Sequence, residues 1–183
     1  VPVSRAFIAI RVPAALGELS DAMRPLWPAQ GVRWVRPENL HLTLRFLGAA
    51  EDAQIAVLRP GLTAVAVRHE AFTDTVERSG CFPNRRRPKV IWAGVADEDG
   101  RWGALQRDVE EVVCAAGWEP EERAFRPHVT LGRVRAAVRL PRSKWSGELP
   151  RLPVPVEAVE LIESILKPTG AEYQTLHRAV LTP

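Results

Sequence analysis

Apolar positions alternate with polar ones, then recur at helical spacing, several times along the chain. Residues 5–11 alternate loosely about Phe7 and Ile8 and run into Pro13, the pattern of a first strand followed by a helix start. Leu16, Leu19, Met23 and Leu26 then fall at three- and four-residue steps, which predicts an amphipathic helix ending near Trp27 and Pro28. Residues 31–35 turn β-branched and aromatic, and residues 40–46 alternate cleanly up to Gly48, so the two are expected as a strand pair. A second helix is predicted over about 51–68, with Ile55, Leu58, Leu62 and Val65 on one face and Pro60 as a kink or a new turn. Strands are predicted at 72–76 and 89–95, around a loop that holds Ser79, Gly80 and the basic run Arg85, Arg86, Arg87. A third helix over 100–116 has Trp102, Leu105, Val109, Val112 and Val113 inward and Gly117 as its stop. A strand over 127–134, a proline-rich loop over 141–155 and two last strands at 156–166 and 172–181 complete the reading.

Strands that follow one another without a crossover helix pair antiparallel or lie apart, so the order predicts an α+β fold with helices outside. With 183 residues, 46% of them hydrophobic, the chain can bury a core as one domain or as two small lobes sharing one. Charged residues make up 26% and the net charge is +3, which permits a polyanionic partner without demanding one. No apolar run approaches the ~20 residues that cross a bilayer, and residues 1–5 carry no signal-type segment, so a soluble cytoplasmic protein with no membrane association is expected. Cys81 and Cys114 stand apart and are expected as reduced structural thiols. There is no P-loop, no G-x-G-x-x-G and no H-E-x-x-H, which removes the commonest phosphate-loop, dinucleotide and zinc-protease readings.

The chain has only 4 histidines, and two of them open the same tetrapeptide: His41-Leu42-Thr43-Leu44 and His128-Val129-Thr130-Leu131. On a strand, His41 and Thr43 share one face while Leu42 and Leu44 share the other, and the second motif repeats this. A single His-x-Thr is ordinarily a half-buried strand residue bonded to a backbone carbonyl. Its duplication on matching strands instead predicts two imidazoles and two hydroxyls gathered around one cleft. His69 and His177 lack such company and are expected at the surface or the core edge.

Two imidazoles suit displacement at a phosphodiester without a metal or other cofactor: a neutral ring takes a proton from attacking water and a protonated ring gives one to the departing oxygen. Threonine hydroxyls donate to the nonbridging oxygens, where charge gathers in the transition state. Arg133 supplies a further cation. Strict alternation turns it away from His128, but Gly132 allows a bulge that returns it to the cleft.

These motifs resemble the two-histidine phosphoesterase superfamily and, within it, the RNA 2′,3′-cyclic phosphodiesterases formerly called 2′-5′ RNA ligases. The likeness extends to Arg5-Ala6-Phe7-Ile8-Ala9-Ile10-Arg11-Val12-Pro13, to Pro37-Glu38-Asn39-Leu40 and Arg45-Phe46-Leu47-Gly48 around the first motif, to Arg126 through Arg133, and to Leu161 through Leu166 with Gly170 through Tyr173. The resemblance implies one bilobal domain over 1–183, with two mainly antiparallel sheets related by a pseudo-twofold duplication and a central cleft. It implies metal-independent opening of an RNA-terminal 2′,3′-cyclic phosphate to a 2′-phosphomonoester, with His41 as proton donor to the 3′ oxygen and His128 as acceptor from water. Thr43 and Thr130 would hold phosphoryl oxygens, Arg133 takes the place of a phosphate-contacting arginine and Tyr173 that of a residue on the closing hairpin. The same displacement run backwards is 2′-5′ ligation. Action on a 2′-5′ oligonucleotide or small cyclic nucleotide, and a non-catalytic RNA-binding module, are the alternatives. Trp34 and Phe46 are candidates to stack a terminal base, although strand aromatics commonly belong to the core, and Trp92 beside the 85–89 cluster is another. The partner expected is RNA or a small nucleotide, bound by a monomer.

Overall fold

The computed structural model describes residues 3–27, 31–135, 148–168 and 170–183. Nine strands form one curled, antiparallel path: β1 (Val3–Arg11), β2 (Val32–Trp34), β3 (His41–Glu51), β4 (Phe72–Phe82), β5 (Val90–Val95), β6 (His128–Val134), β7 (Pro153–Val156), β8 (Ala158–Lys167) and β9 (Gly170–Val180). Their order is β7-β4-β5-β6-β3-β1-β8-β9, with β2 added beside β6. The fold is α+β, as the element order predicts. The two expected sheets are continuous: two halves, each four strands of the main path, join where β3 meets β6, through the pair Leu42 and Val129, with β2 added to the half that holds β6.

Three helices lie against the sheet: α1 (Gly17–Met23), α2 (Asp52–Ala66) and α3 (Arg101–Ala115). Helix α2 packs on β3, β8 and β9, α3 on α2 and β3, and α1 on β6. The two longer ones begin or end for local reasons. Glu51 and Gln54 form a reciprocal capping box at the start of α2. The Asp97 carboxylate accepts the Trp102 and Gly103 backbone N–H groups at the start of α3. Gly117, at φ 100°, sits just past the end of α3. Pro60 is accommodated inside α2, exposed, without breaking it in two.

The core lies between the helices and one face of the sheet. It takes the predicted helix positions Leu16, Leu19, Met23, Ile55, Leu58, Leu62, Val65, Trp102, Leu105, Val109 and Val113, together with Leu42, Leu44, Val129 and Leu131 from the two motifs. Val112 is only partly buried and packs against its edge.

The structure corrects three local readings. β2 does not pair with β3; it pairs with β6, and β3 pairs with β1, because the long-range partners share buried faces that adjacency in sequence does not reveal. Ser79 and Gly80 lie inside β4, which runs on to Phe82. Gly80 stands there because the Trp92 ring lies across it: a Cβ would come within 2.0 Å of that indole. Finally, residues 153–155 of the proline-rich stretch join Val156 in the edge strand β7, with Pro153 and Pro155 turning their donor-less nitrogens outward while Val154 and Val156 are buried. Residues 141–147 of that stretch lie outside the described residues.

Candidate active site

The two histidines open β3 and β6, the strands that meet at the middle of the sheet. Leu42 and Val129 are paired there and fully buried on the core side. The register about that pair sets His41 across from Thr130 and Thr43 across from His128, all on the opposite, concave face. Small residues flank them: Ala9 pairs with Thr43 and Gly94 with His128, which leaves room above the strands.

Both imidazoles are held the same way. His41 Nδ1–H donates to the Asn39 carbonyl at 2.7 Å and His128 Nδ1–H to the Arg126 carbonyl at 2.6 Å, each two residues upstream. These bonds fix the tautomer and leave Nε2 as the basic atom on each ring. Asn39 is itself anchored, its side-chain amide donating to the Ala171 carbonyl at 3.2 Å. Burial, countered in part by the bond to Asn39 and aided by the Arg11, Arg133 and His128 charges, lowers the His41 pKa to about 4. Burial also lowers that of His128, against its bond to Arg126. Both rings are therefore neutral at pH 7 before an anion binds.

Each motif ends in a bulge at its fourth residue. Leu44 has no partner between the pairs Ala9 with Thr43 and Ile8 with Arg45, and Leu131 has none between Trp92 with Thr130 and Ile91 with Gly132. The bulge at Leu131 returns Arg133 to the concave face, where its charge acts on His41. The bulge at Leu44 inverts the residues after it: Arg45 becomes 8% exposed on the core side, and Phe46 stands 62% exposed on the concave side.

Aromatic rings surround both histidines. Phe7 lies 4.8 Å from His41 between ring centroids, Tyr173 lies 5.3 Å from it edge-on, and Phe46 is 6.3 Å from Phe7. Phe7, Ala9 and Ile162 form a small apolar cluster beneath them with Tyr173 packed on it. On the other side Phe82 is 5.1 Å and Trp92 6.3 Å from His128, and the buried Trp92 Nε1–H has no partner among the described residues.

The structure thus gathers His41, His128, Thr43, Thr130, Arg133, Tyr173 and Phe46 on one surface. Trp34 is placed elsewhere: it shares the core-side face of β2 with Val32, packs on the main core and carries the Arg24 guanidinium 5.2 Å over its ring. Four neighbours were not singled out as site residues by the sequence: Phe7, Phe82, Arg11 and Asn39. Phe7 and Arg11 did leave a signal, since both stand with Arg5 and Ala9 on the face of β1 opposite Ala6, Ile8 and Ile10. Among the described residues no group of three or more His, Cys, Asp or Glu side chains gathers as a metal site would require.

A family model of LigT like phosphoesterases matches residues 10–92 and 95–173. The chain belongs to that family. An RNA 2′,3′-cyclic phosphodiesterase of Archaeoglobus fulgidus is 33% identical over 180 residues, 94% of this chain and 97% of the relative. Another of that name from Thermus thermophilus is 34% identical over 185 residues, 94% of this chain and 85% of the relative. The crystal structure of Escherichia coli LigT complexed with 3′-AMP superposes with a TM-score of 0.81 at 28% identity, covering all of both chains. In this LigT-like phosphoesterase the family match therefore spans both halves of the sheet and both histidine motifs. No helix among the described residues is long and apolar enough to cross a membrane.

Proposed function

We propose that the protein hydrolyses the 2′,3′-cyclic phosphate at an RNA end to a 2′-phosphomonoester, using the two histidines as acid and base and no metal ion. The observation that carries this reading is the crossed pair of imidazoles, each with Nδ1 tied to a carbonyl, Nε2 without a bond among the described residues and the other motif's threonine opposite. The names of the 28–34% identical relatives support the substrate class.

Water attacks phosphorus as its proton passes to His128 Nε2. The P–O3′ bond breaks, and His41 Nε2 gives its proton to O3′. The product carries a 2′-phosphate and a 3′-hydroxyl, and proton exchange with solvent resets the pair. Thr43 and Thr130 donate to the nonbridging oxygens, and Arg133 offers its guanidinium to the same charge. Because His41 is neutral in the free protein, its acid role requires that it gain a proton with the substrate. A bound phosphate anion supplies the cause: burial opposes protonation most, the Arg11 and Arg133 charges add to it, and an anion beside the ring favours the charged form against all of them. Phe46 and Tyr173 on one side, seated on the buried Phe7, and Phe82 and Trp92 on the other are surfaces on which a base can stack.

The test is incubation of the protein with a short RNA ending in a 2′,3′-cyclic phosphate, resolving the two possible monoesters. The expected product is the 2′-phosphate alone. A 3′-phosphate product, or an intact cyclic end, contradicts the reading.

A further inference from the structure

Arg133 has a second arginine directly beside it. In the antiparallel pairing of β2 with β6, Arg33 stands opposite Arg133, and the two side chains leave the sheet on the same face. Directly opposed side chains have Cβ atoms roughly 5 Å apart, and like charges so placed are destabilising. Both residues are exposed, and neither has a carboxylate partner among the described residues. Val32 and Trp34, the neighbours of Arg33, point to the core, so Arg33 is the one side chain that β2 presents to the concave face. β2 lies on the β3 side of β6, in line beyond the two histidines, while β5 with Trp92 lies on the other side. Arg133 is near enough to His41 for its charge to act there; Arg33 is the next cation outward.

An anion removes the cost of an opposed cation pair, and the substrate class already proposed carries a second one. An RNA ending in a cyclic phosphate bears a phosphodiester on O5′ of its last nucleotide, whereas a cyclic mononucleotide with a 5′-hydroxyl does not. We propose that Arg33 binds this 5′ phosphodiester, and so sets a preference for polynucleotide ends over cyclic mononucleotides. The inference rests on the phosphodiesterase reading above. Arg133 serves the reacting phosphate and Arg33 the one before it.

The experiment compares three substrates: a 2′,3′-cyclic mononucleotide with a 5′-hydroxyl, the same nucleotide with a 5′-phosphate, and a short RNA with a cyclic end. Arg33→Gln is expected to lower kcat/KM on the second and third by about 10- to 100-fold, the scale of a lost charge-assisted hydrogen bond, and to leave the first within about twofold. The loss should fall mainly in KM. Arg33→Lys should recover part of it, as a point charge without the guanidinium fork. The salt dependence of RNA affinity should fall by about 0.7 in log–log slope with Arg33→Gln, one phosphate contact fewer on a single strand. An equal loss on all three substrates, or none on any, overturns the proposal. Affinity for an RNA ending in a 2′-phosphate, measured against the 2′-mononucleotide, needs no turnover. If the wild type cleaves none of the substrates, the phosphodiesterase reading fails, and an unchanged RNA affinity in Arg33→Gln separately sinks the role of Arg33.

Discussion

His41 shows how the fold sets the chemistry of a single side chain. Its pKa stands at about 4 against 6.5 for an ordinary imidazole, first because the ring is buried among Phe7, Tyr173 and the strand backbone, then because Arg11 and Arg133 lie near. Above pH 6.5 folded and unfolded chains both carry the neutral ring. Between about 6.5 and 4 the unfolded chain binds a proton that the folded chain refuses, so stability falls as pH falls through that window, by about 3 kcal/mol in all. His128 acts in the same direction. Urea unfolding at pH 7 and at pH 4.5 should show this, and His41→Asn, whose side chain does not titrate there, should shrink the difference between the two pH values. A variant as acid-sensitive as the wild type would mean that His41 is not the buried neutral group described here. The anion that favours proton uptake by His41 in the catalytic reading would also relieve this penalty, so ligand binding and acid stability draw on the same proton.

At the scale of the element, the bulges at Leu44 and Leu131 decide what each strand presents. Without them Arg45 would continue the His41 and Thr43 row, and Arg133 would turn to the core. With them the first arginine is buried and the second stands exposed on the concave face. Arg45 is paired in its new place: Nη1 donates to Glu121 at 3.2 Å, Nε lies 3.1 Å from the Glu110 carboxylate, and Nη2 donates to the Glu119 carbonyl. It thereby ties β3 to α3 and to the turn that follows α3. Arg45→Ala removes the cation paired with the Glu110 carboxylate, whose Oε2 is buried and has no hydrogen-bond donor among the described residues, and is expected to cost roughly 3–5 kcal/mol in denaturant unfolding. A cost under about 1 kcal/mol would show that the pairing holds nothing. Much of this level was legible. Both motif strands, the three helices and most of their inward residues follow from period and caps, and Gly132 announced the bulge next to it. The bulge at Leu44 had no such marker, since a leucine there reads as one more alternating core residue. The β2 partner was also hidden, because nothing local in residues 31–35 distinguishes β6 from β3. Gly80 read as a turn residue because a glycine required by a ring from another strand looks, in sequence, like one required by a turn.

The whole molecule is a curled sheet in which two halves, each contributing one His-x-Thr strand, meet along a very short contact at Leu42 and Val129. Neither half holds both an acid and a base, so the proposed activity belongs to the assembled sheet. The repeated tetrapeptide made the pair of histidines legible, because duplicated polar residues on otherwise apolar strands have a shared cause. The rings around them were less so: Tyr173 came only through the family resemblance, and Phe7 and Phe82 come from strands whose meeting is a property of the complete topology. The two-histidine claim meets its most direct test in single-turnover opening of an RNA 2′,3′-cyclic phosphate by exhaustively chelated protein, with the wild type, His41→Ala and His128→Ala compared at equal folded fraction. The account predicts a wild-type rate unchanged by chelation and a loss of about 10²-fold or more in each variant, with cooperative melting retained. A near-wild-type rate in either folded variant, or a wild-type rate lost to chelation and restored by a divalent ion, would contradict it.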